Sequence, residues 1–185
     1  HIALVGAIHH EKSHENVAYE IFWPDGPFAL LPMNSVDGAP LPNRSAFVWS
    51  VPRGKAAGYR KLSDRAFLTE MQKAMGGVFG DIALAAPRMA YPLSFSHTAR
   101  VIGERLVLLG DAAHAIHPIA GQGLNLGLRD VATLAEVIVE GMRMGLDPAD
   151  PQLLARYERW RSLDVMAVAG STDLLTHFFG LGGPA

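Results

Sequence analysis

Arg105-Leu-Val-Leu-Leu-Gly110-Asp111-Ala-Ala-His114-Ala-Ile-His117-Pro118-Ile-Ala-Gly121-Gln122-Gly123-Leu124-Asn125-Leu-Gly127-Leu-Arg129-Asp130 carries three signals in order: an apolar run, an acid at its end and a glycine-softened helix start. Leu106 to Leu109 is short, wholly apolar and closed by Gly110, the pattern of a buried strand in a parallel sheet. Asp111 then falls just past the strand's carboxyl end, where open α/β sheets bind their ligands. An acid there can accept hydrogen bonds from ribityl or ribose hydroxyls. Pro118 fixes its own φ and drives His117 out of helical geometry, so the chain must turn before the next helix. Gly121-Gln122-Gly123 is that turn. Its two glycines let a backbone lie close to a flat ligand, and the amides of a helix starting near Leu124 point the same way, toward negative charge.

Gly121-x-Gly123-x-x-x-Gly127 alone resembles a nucleotide fingerprint and arises easily by chance. A dinucleotide loop follows its strand directly, whereas here Asp111 to Ala120 intervene. The whole string is more specific. Gly110-Asp111-Ala-Ala-His114, then Pro118, then Gly121-Gln-Gly123-x-Asn125, then Arg129-Asp130, resembles the second flavin motif of the class A FAD-dependent aromatic-ring monooxygenases. With Tyr91-Pro92-Leu93 and the run His117 to Asp130, the chain resembles the ubiquinone-biosynthesis hydroxylases within that family, specifically over 88–130 and more loosely from about Ala7 to Phe179.

The resemblance implies an enzyme that binds FAD, takes hydride from NAD(P)H as co-substrate and hydroxylates an aromatic, polyprenyl-phenol-like ring with dioxygen. It implies that Gly110, Asp111, Pro118, Gly121, Gln122, Gly123, Leu124 and Asn125 bind the cofactor. Asp111 would meet ribityl or ribose hydroxyls, and the Gly121–Asn125 amides would face the pyrimidine edge, where reduced flavin is anionic and a fixed dipole needs no reorganisation. Tyr91, His117 and Pro118 would lie on the substrate side. Full-length relatives begin with a strand, a Gly-x-Gly-x-x-Gly turn and a helix, and carry an Asp-Gly motif mid-chain; neither occurs here in that context. The chain is therefore expected to be the C-terminal portion of a larger enzyme, inactive alone. The expected fold is α/β, α+β within the fragment: part of a FAD/NAD(P)-binding Rossmann-like domain, a mostly antiparallel substrate-binding sheet, and C-terminal helices. The expected boundaries are 1–100 for the sheet with one helix, 101–145 for the FAD-binding part and 146–185 for the helical region.

Composition sets bounds consistent with this. Of 185 residues, 49% are hydrophobic and 18% charged, which describes a globular chain, and a net charge of −2 argues against nucleic acid as partner. Without cysteine there are no disulfides and no thiolate chemistry. No apolar run approaches the roughly 18 residues of a membrane span, and no signal peptide is visible. A cytoplasmic protein is expected. The apolar residues Leu174, Leu175, Phe178 and Phe179 allow contact with the inner face of a membrane, and a homo-oligomer or a multi-protein ubiquinone-synthesis complex are further partners the reading allows.

Taken in order, His1–Val5 reads as the interior of a strand, Val17–Trp23 and Phe28–Met33 as a hairpin about Pro24-Asp25-Gly26-Pro27, and Ser45–Val51 as a third strand ended by Pro52. Ser63 caps a helix whose Phe67, Met71, Ala74 and Met75 share a face, with Gly76-Gly77 as its stop. Arg88–Leu93 reads as a strand. From Gly123 a helix runs to about Met142, with Leu124, Leu128, Val131, Ala135, Ile138 and Met142 as one apolar face and Leu134, Val137 and Val139 as a second, so burial on two sides is expected. Arg129-Asp130 reads as a structural ion pair. Asp150 and Pro151 open the next helix, which is expected to end at Ala169 before Gly170, with Leu153, Tyr157 and Trp160 inward and Arg156, Glu158, Arg159 and Arg161 solvated; a further helix is expected over Thr172–Phe179.

Two other readings remain beside the hydroxylase. One is a non-catalytic flavin- or nucleotide-binding module, and the other a halogenase or reductase on the same fold. His9, His10 and His14, or His114 and His117, could be metal ligands, but zinc needs three or four ligands with further support behind them, so no metal is expected. His114 is expected to hold its loop by bonding to backbone.

Overall fold

Alternation of large apolar side chains with polar or small ones over residues 26–51 builds the first half of the molecule. In the computed structural model, which describes residues 1–35, 37–94, 96–116 and 121–180 apart from the side chains of 40, 169, 172, 173 and 175–180, the chain divides into two units, one built on His1–Leu93 and the other on Ser94–His177. The first holds strands β1 (Ile2–His10), β2 (Tyr19–Trp23), β3 (Gly26–Asn34) and β4 (Pro40–Val51), helices α1 (Arg53–Lys61) and α2 (Asp64–Met75), and strands β5 (Ile82–Leu84) and β6 (Met89–Pro92). The sheet order is β2-β3-β4-β1-β5, with β6 pairing the other half of β1, and every pair is antiparallel. The register of β3 on β4 shifts between Pro32 and Met33, where proline has no N–H to give the ladder.

Phe28 and Leu30 in β3 and Phe47, Trp49 and Val51 in β4 recur at the strand period of two, and with Leu4 and Ile8 they form the sheet side of one core. Helix α2 closes it with Phe67, Met71, Ala74 and Met75, the four residues expected from the sequence. Ser63 caps α2 by accepting a hydrogen bond from the Ala66 N–H at 3.3 Å, and Gly76, at φ +65°, ends it. The three strands and the hairpin fall where the alternation puts them, each a few residues longer or shorter. Helix α1 has no counterpart in the sequence reading. Only Ala56 is buried in it and two of its nine residues are glycine, so it has no apolar period to detect.

His10 and His14 are buried in this unit. His10 bonds to the Lys12 carbonyl at 2.6 Å and to Ser45 Oγ at 3.0 Å, while its ring stacks on Phe79 at 4.4 Å. His14 bonds to the Leu41 carbonyl at 2.9 Å. Among the described residues no group of three or more His, Asp or Glu side chains is placed to hold a metal. Burial, helped by His14 and His9 and opposed by the Lys12 carbonyl, holds the His10 imidazole below its ordinary 6.5. Between that depressed value and 6.5 the unfolded chain binds the proton and the folded one does not, so stability falls as pH drops through this window. Unfolding midpoints measured from pH 7 down to pH 5 are expected to decline, and His10→Gln to flatten that slope; an unchanged slope would show that other groups set it.

The second unit departs further from expectation. It holds β7 (Ser96–His97), β8 (Ile102–Gly103), β9 (Leu106–Val107), a 3-10 turn (Gly110–Ala112), β10 (His114–Ala115), α3 (Gln122–Arg143) and α4 (Pro151–Gly180). The expected buried parallel strand Leu106–Leu109 is instead a two-residue hairpin arm, antiparallel to β8, with Leu106 55% exposed. Burial inside a parallel sheet requires parallel strands alongside, and among the described residues its one partner, β8, is antiparallel. In α3 the buried face is Leu126, Asp130, Thr133, Val137 and Gly141, whereas Leu124, Leu128, Val131 and Met142 are exposed, so the helix is covered on one side and not on two. The covered side is the one carrying Asp130, because its carboxylate has buried partners on the neighbouring elements. Gly170 does not interrupt α4, since a solvent-facing glycine costs a helix only about 1 kcal/mol. Trp160 is 45% exposed and Arg161, expected in solvent, is buried. Leu174 is exposed, and the side chains of Leu175, Phe178 and Phe179 lie outside the described residues.

Helices α3 and α4 run antiparallel. Gly141 meets Leu153, where an added Cβ would come within 2.2 Å of Leu153 Cδ1, and Glu140–Arg156 at 2.6 Å and Arg129–Asp164 at 3.1 Å tie the seam. Asp150 accepts from the Gln152 N–H at 2.8 Å and so opens α4 as expected.

Candidate functional site

Gly110 stands at φ +56°, left-handed backbone that a side chain disfavours. Its Cα lies 3.5 Å from where a Cβ on Gly127 would be, so the strand-end turn sits directly on the second turn of α3. The next residue, Asp111, is exposed, with Oδ1 4.0 Å from the Cβ position of Gly123. The carboxylate therefore lies beside the first turn of α3, and no described side chain or amide donates a hydrogen bond to it. Gly121, at φ +60°, is the cap residue of α3, and nothing lies within 4 Å of the Cβ it lacks. Asn125 Nδ2 donates to Gln122 Oε1 at 3.4 Å, and Leu124 is 74% exposed. His117 and Pro118 lie outside the described residues. Tyr91 belongs to the other unit, where it pairs with Ala3 in the sheet; its exposed hydroxyl contacts Met89 Sδ at 3.5 Å.

Behind this face Asp130, wholly buried, fixes the turn. Its Oδ2 accepts from the Gly110 N–H and bonds to His114 Nε2, both at 2.8 Å, and its Oδ1 accepts from Arg161 Nε at 2.6 Å. Arg161 also reaches Asp164, which in turn accepts from Arg129. Burial alone would lower the Arg161 pKa, but the Asp164 and Asp130 carboxylates raise it above its ordinary value; Arg161 and then Arg129 hold the Asp164 carboxyl below its own. Tyr157, nearly inaccessible to solvent, donates to the Leu108 carbonyl at 3.5 Å, and burial followed by the Asp130 charge pushes its pKa up to about 12. The Arg129-Asp130 dipeptide is thus structural, with each member paired to α4 rather than to the other. Among the described residues the partner of the His114 ring is the Asp130 carboxylate, where backbone was expected.

Arg161 is the residue sequence reasoning missed. A signal was available: it occupies one row at spacing four with Leu153, Tyr157 and Val165, all buried, so it is a charge within an apolar stripe. Such a charge must find a partner.

A flat, hydroxyl-bearing anionic ligand fits this arrangement. Glycines at 110 and 127 thin the wall, no described group donates to the Asp111 carboxylate, and no described atom lies within 4 Å of the Cβ that Gly121 lacks, so among the described residues nothing blocks a ring from the α3 amides. Comparison with known proteins agrees. Residues 5–172 match the family described as FAD binding domain. Ubiquinone hydroxylase UbiL of Rhodospirillum rubrum is 42% identical over 96% of this chain and 40% of its own length. The human mitochondrial ubiquinone biosynthesis monooxygenase COQ6 is 28% identical over 96% of this chain and 44% of its own. The chain thus spans about two-fifths of the length of these relatives. Among solved structures, PqsL, a probable FAD-dependent monooxygenase from Pseudomonas aeruginosa, superposes with a TM-score of 0.74 at 22% identity, covering 97% of this chain and 49% of that one. The flavin-dependent halogenase CmlS gives 0.67 at 21% identity over 87% and 29%. Similarity at that level speaks for the fold, a mixed helix and antiparallel sheet architecture, while the family match extends from β1 into α4: the chain belongs to the FAD binding domain family.

Proposed function

We propose that this chain forms part of a FAD-dependent monooxygenase that hydroxylates an aromatic, polyprenyl-phenol-like substrate in ubiquinone biosynthesis, with NAD(P)H and dioxygen as co-substrates. The observation that carries the reading is the Asp111 carboxylate set 4.0 Å from the bare Cβ position of Gly123, at the mouth of α3. The names of the relatives, ubiquinone hydroxylase and ubiquinone biosynthesis monooxygenase, support the substrate class. FAD, when bound, supplies the hydride acceptor and the oxygen-activating centre. The protein's share is orientation and charge. Asp111 accepts hydrogen bonds from ribityl or ribose hydroxyls, Gly110 and Gly127 allow close approach, and the amides of Gly121 to Asn125 offset negative charge at the pyrimidine edge. Asp130 keeps Gly110 and His114 in register behind them. For Pro118 beside the ring and for His117 and Tyr91 on the substrate side, the family resemblance is the only support: His117 and Pro118 lie outside the described residues and Tyr91 lies in the other unit. A polyprenyl tail on the substrate would bring the protein to a membrane surface, and no described helix is long and apolar enough to cross one.

The test is flavin retention in the full-length protein. Each hydrogen bond to a charged acceptor contributes about 1.5–3 kcal/mol, so Asp111→Ala is expected to weaken flavin binding by about tenfold to a hundredfold and to leave the far-ultraviolet circular dichroism unchanged. Flavin content equal to wild type in that variant would remove Asp111 from the cofactor site. Product analysis with a polyprenylated phenol and NAD(P)H then tests the reaction; flavin reduction without any hydroxylated ring would assign the site to other chemistry.

A further inference from the structure

A second concavity, of about 330 Å³, opens in the Ser94–His177 unit between the segment His97–Val101 and α4. Its walls carry Arg100, Arg159 and Arg161 with His97, against one acid, Glu158, whose Oε1 accepts from the Val101 N–H at 3.3 Å. Elsewhere in the unit Arg105, Arg129 and Arg156 each pair with a carboxylate, while Arg143 pairs with none among the described residues. At this cavity Arg100 and Arg159 pair with none among the described residues. Arg161 is 95% buried by residue, Asp130 and Asp164 take its Nε and Nη1, and its Nη2 has no hydrogen-bond partner among the described residues. That nitrogen has no solvent-accessible surface, so the groups a ligand can reach are the exposed guanidinia of Arg100 and Arg159, which line the cavity with no described carboxylate paired to them. An acceptor bearing negative charge supplies the missing partner. The hydroxyls of Thr98 and Ser162 are already donated, to the Ala113 and Glu158 carbonyls at 2.6 Å each, so recognition falls to the guanidinia.

We propose that this cavity binds the phosphate or pyrophosphate group of a small molecule, at a site separate from the Asp111 face. Guanidinium forks match phosphate oxygens two at a time, and the volume suits a phosphorylated metabolite rather than a lone ion.

The experiment titrates inorganic pyrophosphate, and separately inorganic phosphate, into the full-length, flavin-loaded protein by calorimetry, with sodium chloride at matched ionic strength as control. Saturable pyrophosphate binding at one site is expected, with Arg100→Ala/Arg159→Ala weakening it by about tenfold or more and Arg100→Lys/Arg159→Lys restoring part of it. Flavin absorbance is to stay unchanged through the titration. Binding that releases flavin, binding reproduced by chloride, affinity unaltered in the double alanine variant, or no heat up to millimolar probe would each overturn the proposal. Loss of flavin from the Asp111 variant alone would leave it standing, so the two readings fail separately.

Discussion

Replacing Asp130 with alanine is expected to lower folding stability by about 3–5 kcal/mol, the range for breaking a buried ion pair by removing one partner. The Asp130 carboxylate is inaccessible to water and receives three groups: the Gly110 N–H, His114 Nε2 and Arg161 Nε. Alanine leaves a guanidinium and an amide without their acceptor in the interior. Asparagine keeps one oxygen and is expected to lose about half as much. Arg161→Ala strands the carboxylate instead, and the double variant Asp130→Ala/Arg161→Ala should be less damaged than the two single losses added together, since each single change leaves an unpaired charge that the double removes. Urea unfolding measures all four proteins. A loss under about 1 kcal/mol for Asp130→Ala, within the ordinary surface range, would show that the network does not hold the turn. Amide exchange at Gly110 supplies a local check, because its N–H loses its acceptor in the alanine variant and should exchange faster even where the unit stays folded.

That network also marks where the sequence could and could not be read. Strands β3 and β4 and helix α2 were legible because each buries one face against one core, so their period survives in the residue types. Gly110, Asp111 and Gly123 were legible as a set because turn, acid and helix mouth follow one another along the chain. Arg161 was not, since it joins Asp130 across 31 residues and its own helix face looks charged until its neighbours at spacing four are counted. The face of α3 was misassigned for a related reason. Counting apolar residues favours Leu124, Leu128, Val131 and Met142, yet the helix buries the row holding Asp130, Thr133 and Gly141, whose partners are a backbone amide, a guanidinium and a close helix. Specific polar contacts outweighed hydrophobic count there. Leu106–Leu109 shows the same limit from the other side, since an apolar run states that it should be buried but not which strands must lie beside it.

Phe67→Ala is expected to cost a comparable amount in the His1–Leu93 unit, about 3–5 kcal/mol for deleting a large buried side chain and leaving a cavity. Phe67 is fully buried, its ring 6.0 Å from that of Phe47 and 5.9 Å from that of Trp49, and the Arg88 guanidinium lies over it at 4.5 Å. On its other side Arg88 pairs with Asp64 at 3.4 Å and donates to the Leu62 carbonyl, so the ring and the start of α2 together seat the arginine. Arg88 in turn immediately precedes β6, the strand that carries Tyr91. Removing the ring therefore does more than open a void: it takes away the face on which Arg88 rests, and the pairing of Met89 to Pro92 with β1 should loosen. Phe67→Leu keeps most of the volume and is expected to lose less than alanine does, while Arg88→Ala alone removes a cation–π contact valued at about 0.5–2 kcal/mol. Hydrogen exchange distinguishes a local from a transmitted effect. Protection should fall in α2 and in β6 together for Phe67→Ala; if β6 amides keep their wild-type rates while α2 is destabilised, the core and the strand bearing Tyr91 are not coupled through Arg88.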